Sequence, residues 1–97
     1  MDTNREFARK LEKRTKDFAV RIIRLASQFP NTAVGNVIRY QIIKSGTSIG
    51  ANYREANRSV SLLDFKNKIS ICIKEASETQ YWLEIIMETK LLAADEI

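Results

Sequence analysis

At 97 residues and 11.2 kDa the chain makes one domain, small enough that a solitary core would be marginal. Its hydrophobic content of 44% and charged content of 29% are those of a folded domain and not of a disordered one, and 3 Gly with 1 Pro argue against a fold built from many tight turns. The net charge is +4 with no His and 1 Cys, which excludes His-based acid–base catalysis, Ser/His and Cys/His nucleophilic pairs, most zinc sites and an intramolecular disulfide.

A single free thiol fits a reducing cytoplasm. No apolar run approaches the roughly 18 residues of a membrane span, and the charged first turns do not resemble a signal peptide. The expectation is a cytoplasmic protein with no membrane partner.

The first periodic segment covers residues 3–28. Phe7, Leu11, Phe18, Ile22, Leu25 and Phe29 recur at three- and four-residue steps or their sums, one stripe of a helix. Phe7, Phe18 and Phe29 are spaced by eleven, a repeat that runs nearly straight. Pro30 disfavours helix at Phe29, and Asn31 or Thr32 can cap the next helix.

The second segment covers residues 32–57. Val34, Val37, Ile38, Ile42 and Ile49 form its apolar stripe, continued by Ser45, Asn52 and Ala56. Gly46 and Gly50 each cost roughly 1 kcal/mol against Ala in a helix interior. A helix that carries both needs close backbone approach or a bend there.

After Asn57-Arg58-Ser59-Val60, Ser61-Leu62-Leu63-Asp64 reads as a capping-box-like start with Asp64 in the usual Glu/Gln place. The third segment covers residues 61–92. Phe65, Cys72, Thr79 and Ile86 stand seven apart, interleaved by Ile69, Ala76 and Leu83, an a/d seam over three heptads. Ile73, Trp82, Ile85 and Met87 widen the apolar surface. The whole chain, 1–97, is then one all-α domain, an up-down antiparallel bundle of long helices. It is rod-like, with more apolar surface than three helices cover, which implies self-association.

Charge is uneven. The first 60 residues carry a net +7 and the last 37 a net −3. Either the basic part meets an anionic partner, or the acidic third helix is matched to basic neighbours within or between copies. Arg39, Lys44, Arg54 and Arg58 line the second helix and its following turn, with Tyr40 and Tyr53 among them. Basic residues interleaved with aromatics suit phosphate contact and base stacking; the bland reading is a solvated face. Arg5, Arg9 and Lys13 extend the basic surface onto the first helix.

Gly46-Thr47-Ser48-Ile49-Gly50 matches G-x-S-x-G, yet the nucleophile elbow needs a strand before it and a base beside the serine. Here it lies in a helical pattern, and a small-residue patch for helix crossing explains it. Glu55, Glu75, Glu78 and Glu84 lack the Glu-x-x-His pairs of a carboxylate metal site. No catalytic residue, metal or cofactor is expected. Asn52 falls on the buried stripe, where an amide must find partners: a helix terminus or a group on a neighbouring helix, fixing register, is expected ahead of a ligand.

Three groups of residues carry a resemblance. Arg14-Thr15-Lys16-Asp17-Phe18-Ala19 with Phe29-Pro30 is the first. The second is Ser45-Gly46-Thr47-Ser48-Ile49-Gly50-Ala51-Asn52-Tyr53-Arg54-Glu55-Ala56. Asp64-Phe65, Lys68-Ile69, Lys74-Glu75-Ala76, Glu78-Thr79 and Tyr81-Trp82-Leu83-Glu84 make the third. Together they resemble the bacterial four helix bundle protein family, also called the 23S rRNA intervening-sequence protein family, over Arg14 to Leu92. The resemblance implies an antiparallel four-helix bundle, ring-like homopentamers and no recognised catalytic set. It also implies kinship with a basic accessory protein of diversity-generating retroelements, which works with reverse transcriptase and nucleic acid. Asn52 and Glu55 match the family's most characteristic polar positions. Many relatives have Pro where this chain has Gly50. The family's fourth helix would begin near Ala94-Asp95-Glu96-Ile97, so these residues are expected to give three helices and an open groove.

Two functions are expected on these grounds. One is a non-enzymatic, oligomeric helical-bundle protein that binds RNA or DNA through Arg5, Arg9, Lys13, Arg39, Lys44, Arg54 and Arg58, with Asn52 and Glu55 in structural roles. The other is a protein–protein interaction scaffold or assembly subunit without nucleic acid.

Overall fold

A computed structural model describes residues 3–92 and contains three helices: α1 (Asn4–Ala26), α2 (Ala33–Asn57) and α3 (Leu62–Glu88). Each begins where a side chain can satisfy the first unpaired amides. Thr3 accepts from the Glu6 amide at 3.1 Å while Glu6 accepts from the Thr3 amide at 3.2 Å, a complete capping box. Thr32 accepts from the Gly35 amide at 3.0 Å and Ser61 from the Asp64 amide at 3.0 Å.

The end of α3 departs from the expectation of helix to residue 92. Lys90 takes a left-handed φ of 54°. The Leu91 amide donates to the Ile86 carbonyl and the Lys90 amide to the Met87 carbonyl, each at 3.2 Å. That is the double bond pattern of a Schellman cap, usually built on glycine. With lysine in the glycine position there is no sequence mark for the stop. The cap turns Leu92 back into the core, where it is buried. The expected start of a fourth helix at 94–97 lies outside the described residues.

The helices run antiparallel, with α2 central and α1 and α3 packed on it; α1 and α3 hardly touch each other. The contact face of α2 is Gly35, Ile38, Ile42, Ser45, Gly46, Gly50, Tyr53 and Ala56, all buried. Val34 and Val37, expected on that face, are exposed, and so is Phe7 of α1. The reason is that α2 meets α1 through glycine. A methyl group on Gly46 would stand 2.9 Å from Ile22, and one on Gly50 3.0 Å from Thr15. Close approach, and not a kink, explains both glycines.

On its other side α2 meets α3 through a buried polar pair. Thr79 Oγ1 donates to Ser45 Oγ at 2.9 Å and lies 2.8 Å from the Glu75 carbonyl oxygen; both residues are essentially sealed from solvent. Thr79→Val should leave the Ser45 hydroxyl only its long bond to the Ile42 carbonyl, 3.4 Å, and lower stability by about 1–2 kcal/mol. Adding Ser45→Ala should recover most of it, because removing both partners leaves nothing unpaired. Urea midpoints of the two variants check this.

The main core is lopsided. Ile22, Ala26, Phe29, Ile38, Ile42, Ile86 and Leu92 gather where the C-terminal half of α1, the N-terminal half of α2 and the end of α3 meet. The opposite end holds Tyr53 and Ala56 as its buried apolar residues, while Val60, Leu62 and Leu63 are exposed. The result is elongated, 44 × 26 × 18 Å with a radius of gyration of 15.2 Å, against roughly 12–13 Å for a compact chain of this length.

Candidate nucleic-acid interface

Antiparallel packing of α1 on α2 sets the first half of α1 beside the C-terminal end of α2. The junction is Glu12, whose side chain is 21% exposed. Asn57 Nδ2 donates to it at 2.9 Å, and Arg54 Nε and Arg58 Nη1 stand 3.7 and 3.8 Å from its two oxygens. Arg5, Arg9 and Lys16 lie at −7, −3 and +4 from Glu12, on the same face of α1. Four of the expected binding residues, Arg5, Arg9, Arg54 and Arg58, are thus gathered at one end from positions far apart in sequence. Lys16 joins them, although nothing in the sequence alone singled it out.

The other three expected residues are differently placed. Lys13 pairs with Asp17 at 2.7 Å, a hydrogen bond that holds the Asp17 carboxyl below its ordinary value. Lys44 sits in mid-helix with its ammonium 6.0 Å from the centre of the Tyr40 ring. Arg39 stands at the opposite end of the bundle and points inward. Its Nε donates to the Ala26 carbonyl at 3.1 Å, its Nη2 to the Phe29 carbonyl at 2.7 Å, and its Nη1 to Asn36 Oδ1. It lies 6.0 Å from the centre of the Phe29 ring. Arg39 therefore closes the C-terminus of α1 and offers little to a ligand. Tyr53, expected beside Tyr40 as a stacking surface, is 7% exposed and is a core residue.

The structural pair is also re-cast. Asn52 Nδ2 donates to the Ser48 carbonyl of its own helix at 2.8 Å. The buried polar contact between α2 and α3 is Ser45 with Thr79, two positions that periodicity alone marks as ordinary seam. Glu55 receives Lys68 of α3 at 3.1 Å and ties the two helices at their solvent edge.

A second feature is a trough between α1 and α3, where Phe18, Arg21, Leu25 and Leu83 line about 320 Å³. A cleft of about 500 Å³ between α1 and α2 continues along α1, lined by Leu11, Arg14, Phe18 and Ile49.

Catalytic geometry does not assemble around the G-x-S-x-G run. Ser48 Oγ donates to the Lys44 carbonyl at 2.6 Å, inside a continuous helix. Cys72 is half-buried, its Sγ donates to the Ile49 carbonyl at 3.4 Å, and burial pushes its thiol pKa up, the reverse of an activated nucleophile. Among the described residues no three metal-ligating side chains converge, and no helix is long and apolar enough to cross a membrane.

The family model described as 23S rRNA-intervening sequence protein matches residues 4–97. A solved structure from Bacteroides thetaiotaomicron VPI-5482, described as a protein with unknown function from the S23 ribosomal protein family, is similar at 42% identity. It superposes with a TM-score of 0.83, covering 92% of this chain and 80% of that one. Among curated proteins none matches this chain.

Proposed function

The chain belongs to the 23S rRNA-intervening sequence protein family, and from that premise we propose that it is a non-enzymatic, self-associating cytoplasmic protein that binds the phosphate backbone of RNA or DNA. The observation that carries this is the basic end of the bundle. Arg54 and Arg58 approach one carboxylate and remain 50% and 69% exposed, Lys16 borders the cleft beside it, and Arg5 and Arg9 continue the same face of α1. Phosphate neutralised by such a cluster releases counterions, so binding weakens steeply with salt. Self-association would multiply the charge presented to one nucleic acid. The exposed Val34, Val37, Ile73 and Met87 and the α1/α3 trough support association between copies.

A structured RNA should bind at about 50 mM salt and release by about 300 mM. The double variant Arg54→Ala/Arg58→Ala should reduce the salt slope by about 2 and weaken low-salt binding about tenfold or more. Absent binding at low salt, or a flat salt response, rejects the reading.

The trough favours a second reading, a scaffold that seats another protein helix. Native mass measured together with the absorbance ratio at the nucleic-acid and protein maxima separates the two. Bound nucleic acid supports the first, and a co-purifying protein without nucleic acid supports the second.

A further inference from the structure

We propose that Glu12 is a built-in counter-anion, holding in the free protein the place among Arg54, Arg58 and Asn57 that a backbone phosphate takes in the complex. The inference rests on the nucleic-acid reading above and names the subsite and the internal competitor at its centre.

Four observations lead to it. First, among the described residues Glu12 is the acidic side chain that both Arg54 and Arg58 approach. Glu6 is used in the Thr3 capping box, Asp17 is held by Lys13, and Glu55 is turned toward Lys68 of α3. Second, the contacts to Glu12 are loose where they involve charge. The guanidinium nitrogens stand at 3.7 and 3.8 Å, against 2.7 Å for Lys13 with Asp17. The close contact is the neutral one from Asn57, at 2.9 Å. Charge-assisted bonds of good geometry are near 2.7–2.9 Å; Arg58 Nη1 also donates to the Arg54 carbonyl at 3.0 Å, so the donors that remain for an anion are the Arg54 guanidinium and the other nitrogens of Arg58.

Third, the three donors converge on one carboxylate from the last turn of α2 and its cap. A phosphodiester presents two oxygens in a comparable fork, with more acceptor capacity than the carboxylate. Fourth, there is room for exchange. A cleft of about 290 Å³ opens beside Glu12 between α1 and α2, walled in part by Lys16, Thr47 and Arg54 and not by Asn57 or Arg58. The carboxylate can turn toward that cleft and Lys16 while a phosphate meets the exposed Arg58 and Asn57.

In the free state Glu12 offsets the repulsion among Arg54, Arg58 and Lys16. On binding it becomes a like charge beside the incoming phosphate and sets a threshold for affinity. Removing that charge should therefore tighten binding, opposite to the effect of removing a phosphate contact.

The test uses the full chain and a fluorescein-labelled RNA duplex, with a DNA duplex of the same sequence in parallel. Glu12→Gln keeps the side-chain shape and an acceptor for Asn57. It should bind about fivefold to tenfold tighter at about 50 mM salt, with a salt slope steeper by about 1. Glu12→Met, of similar length and good helix propensity, should give the same gain and guards against a fault peculiar to the amide. Arg54→Ala/Arg58→Ala added to the Glu12→Gln background should erase the gain. Gains on both duplexes identify the shared phosphodiester, and a gain on RNA alone identifies the A-form groove.

Wild-type binding with no tightening in either Glu12 variant overturns the inference and leaves the nucleic-acid reading standing. Weaker binding by both folded variants also overturns it, by making Glu12 a positioning residue for the arginines. If neither wild type nor variants bind, the nucleic-acid reading falls and takes the inference with it.

Discussion

Gly35→Ala is expected to cost the fold about 3 kcal/mol or more, although the substitution raises helix propensity. A methyl group at Gly35 would lie 2.1 Å from the Pro30 carbonyl oxygen. That oxygen cannot simply swing away. It accepts from the Thr32 amide at 2.9 Å, and Arg39 Nη2 reaches it at 3.4 Å. The obstacle is backbone in a proline-stiffened turn, so relief requires the α1–α2 connection to open. Alanine returns about 1 kcal/mol of helix propensity, well short of overpacking against immovable atoms. Gly46→Ala is a useful comparison. Its neighbour is the buried, β-branched Ile22 side chain at 2.9 Å, which must shift with the core but is not backbone in a turn, and a net loss of about 1–3 kcal/mol is expected. Thermal melts followed by helix ellipticity should rank the two in that order. A melting point for Gly35→Ala equal to wild type would contradict the close approach.

Arg39→Ala should cost about 2–3 kcal/mol, a fall in Tm of roughly 10–20 °C for a domain of this size. The guanidinium plane serves the Ala26 and Phe29 carbonyls together, and both of those residues are buried. The Ala26 carbonyl also accepts from the Phe29 amide at 3.2 Å, so the Phe29 carbonyl is the one that loses its partner, and carbonyls past a helix C-terminus are what such a cation satisfies. Arg39→Lys should restore less than half of the loss, because an ammonium cannot serve the fork with one rigid plane. The folded fraction of Arg39→Ala should bind RNA with unchanged affinity, since the basic end is at the other extreme of the bundle. A large affinity loss without a stability loss would return Arg39 to the binding surface.

Arg39 also illustrates what the sequence conceals. In a row with Lys44, Arg54 and Arg58 it reads as one more cation on a helix face. Whether a guanidinium turns outward to phosphate or inward to carbonyls depends on what lies across the helix. The carbonyls it meets are ten and thirteen residues away. The same holds for Glu12 and Asn57, forty-five apart, whose meeting needs the antiparallel pairing of two whole helices. The helices themselves were legible because their starts are chemical. Thr32 and Ser61 stand where the caps form, and Pro30 separates the first two helices. The stop of α3 was not legible because lysine occupies the left-handed position. The packing face of α2 was half legible. Ile38 and Ile42 announce it, but its continuation through Gly46, Ser45 and Gly50 carries no hydrophobic signal, and Val34 and Val37 drew the stripe to the wrong side.

Dense packing sits at one extremity of the rod and the basic cluster at the other. The basic end can therefore change its composition, or splay slightly, while the knot of Ile22, Ile42 and Ile86 keeps the three helices together. Anchorage and adaptability are divided along the length of one molecule.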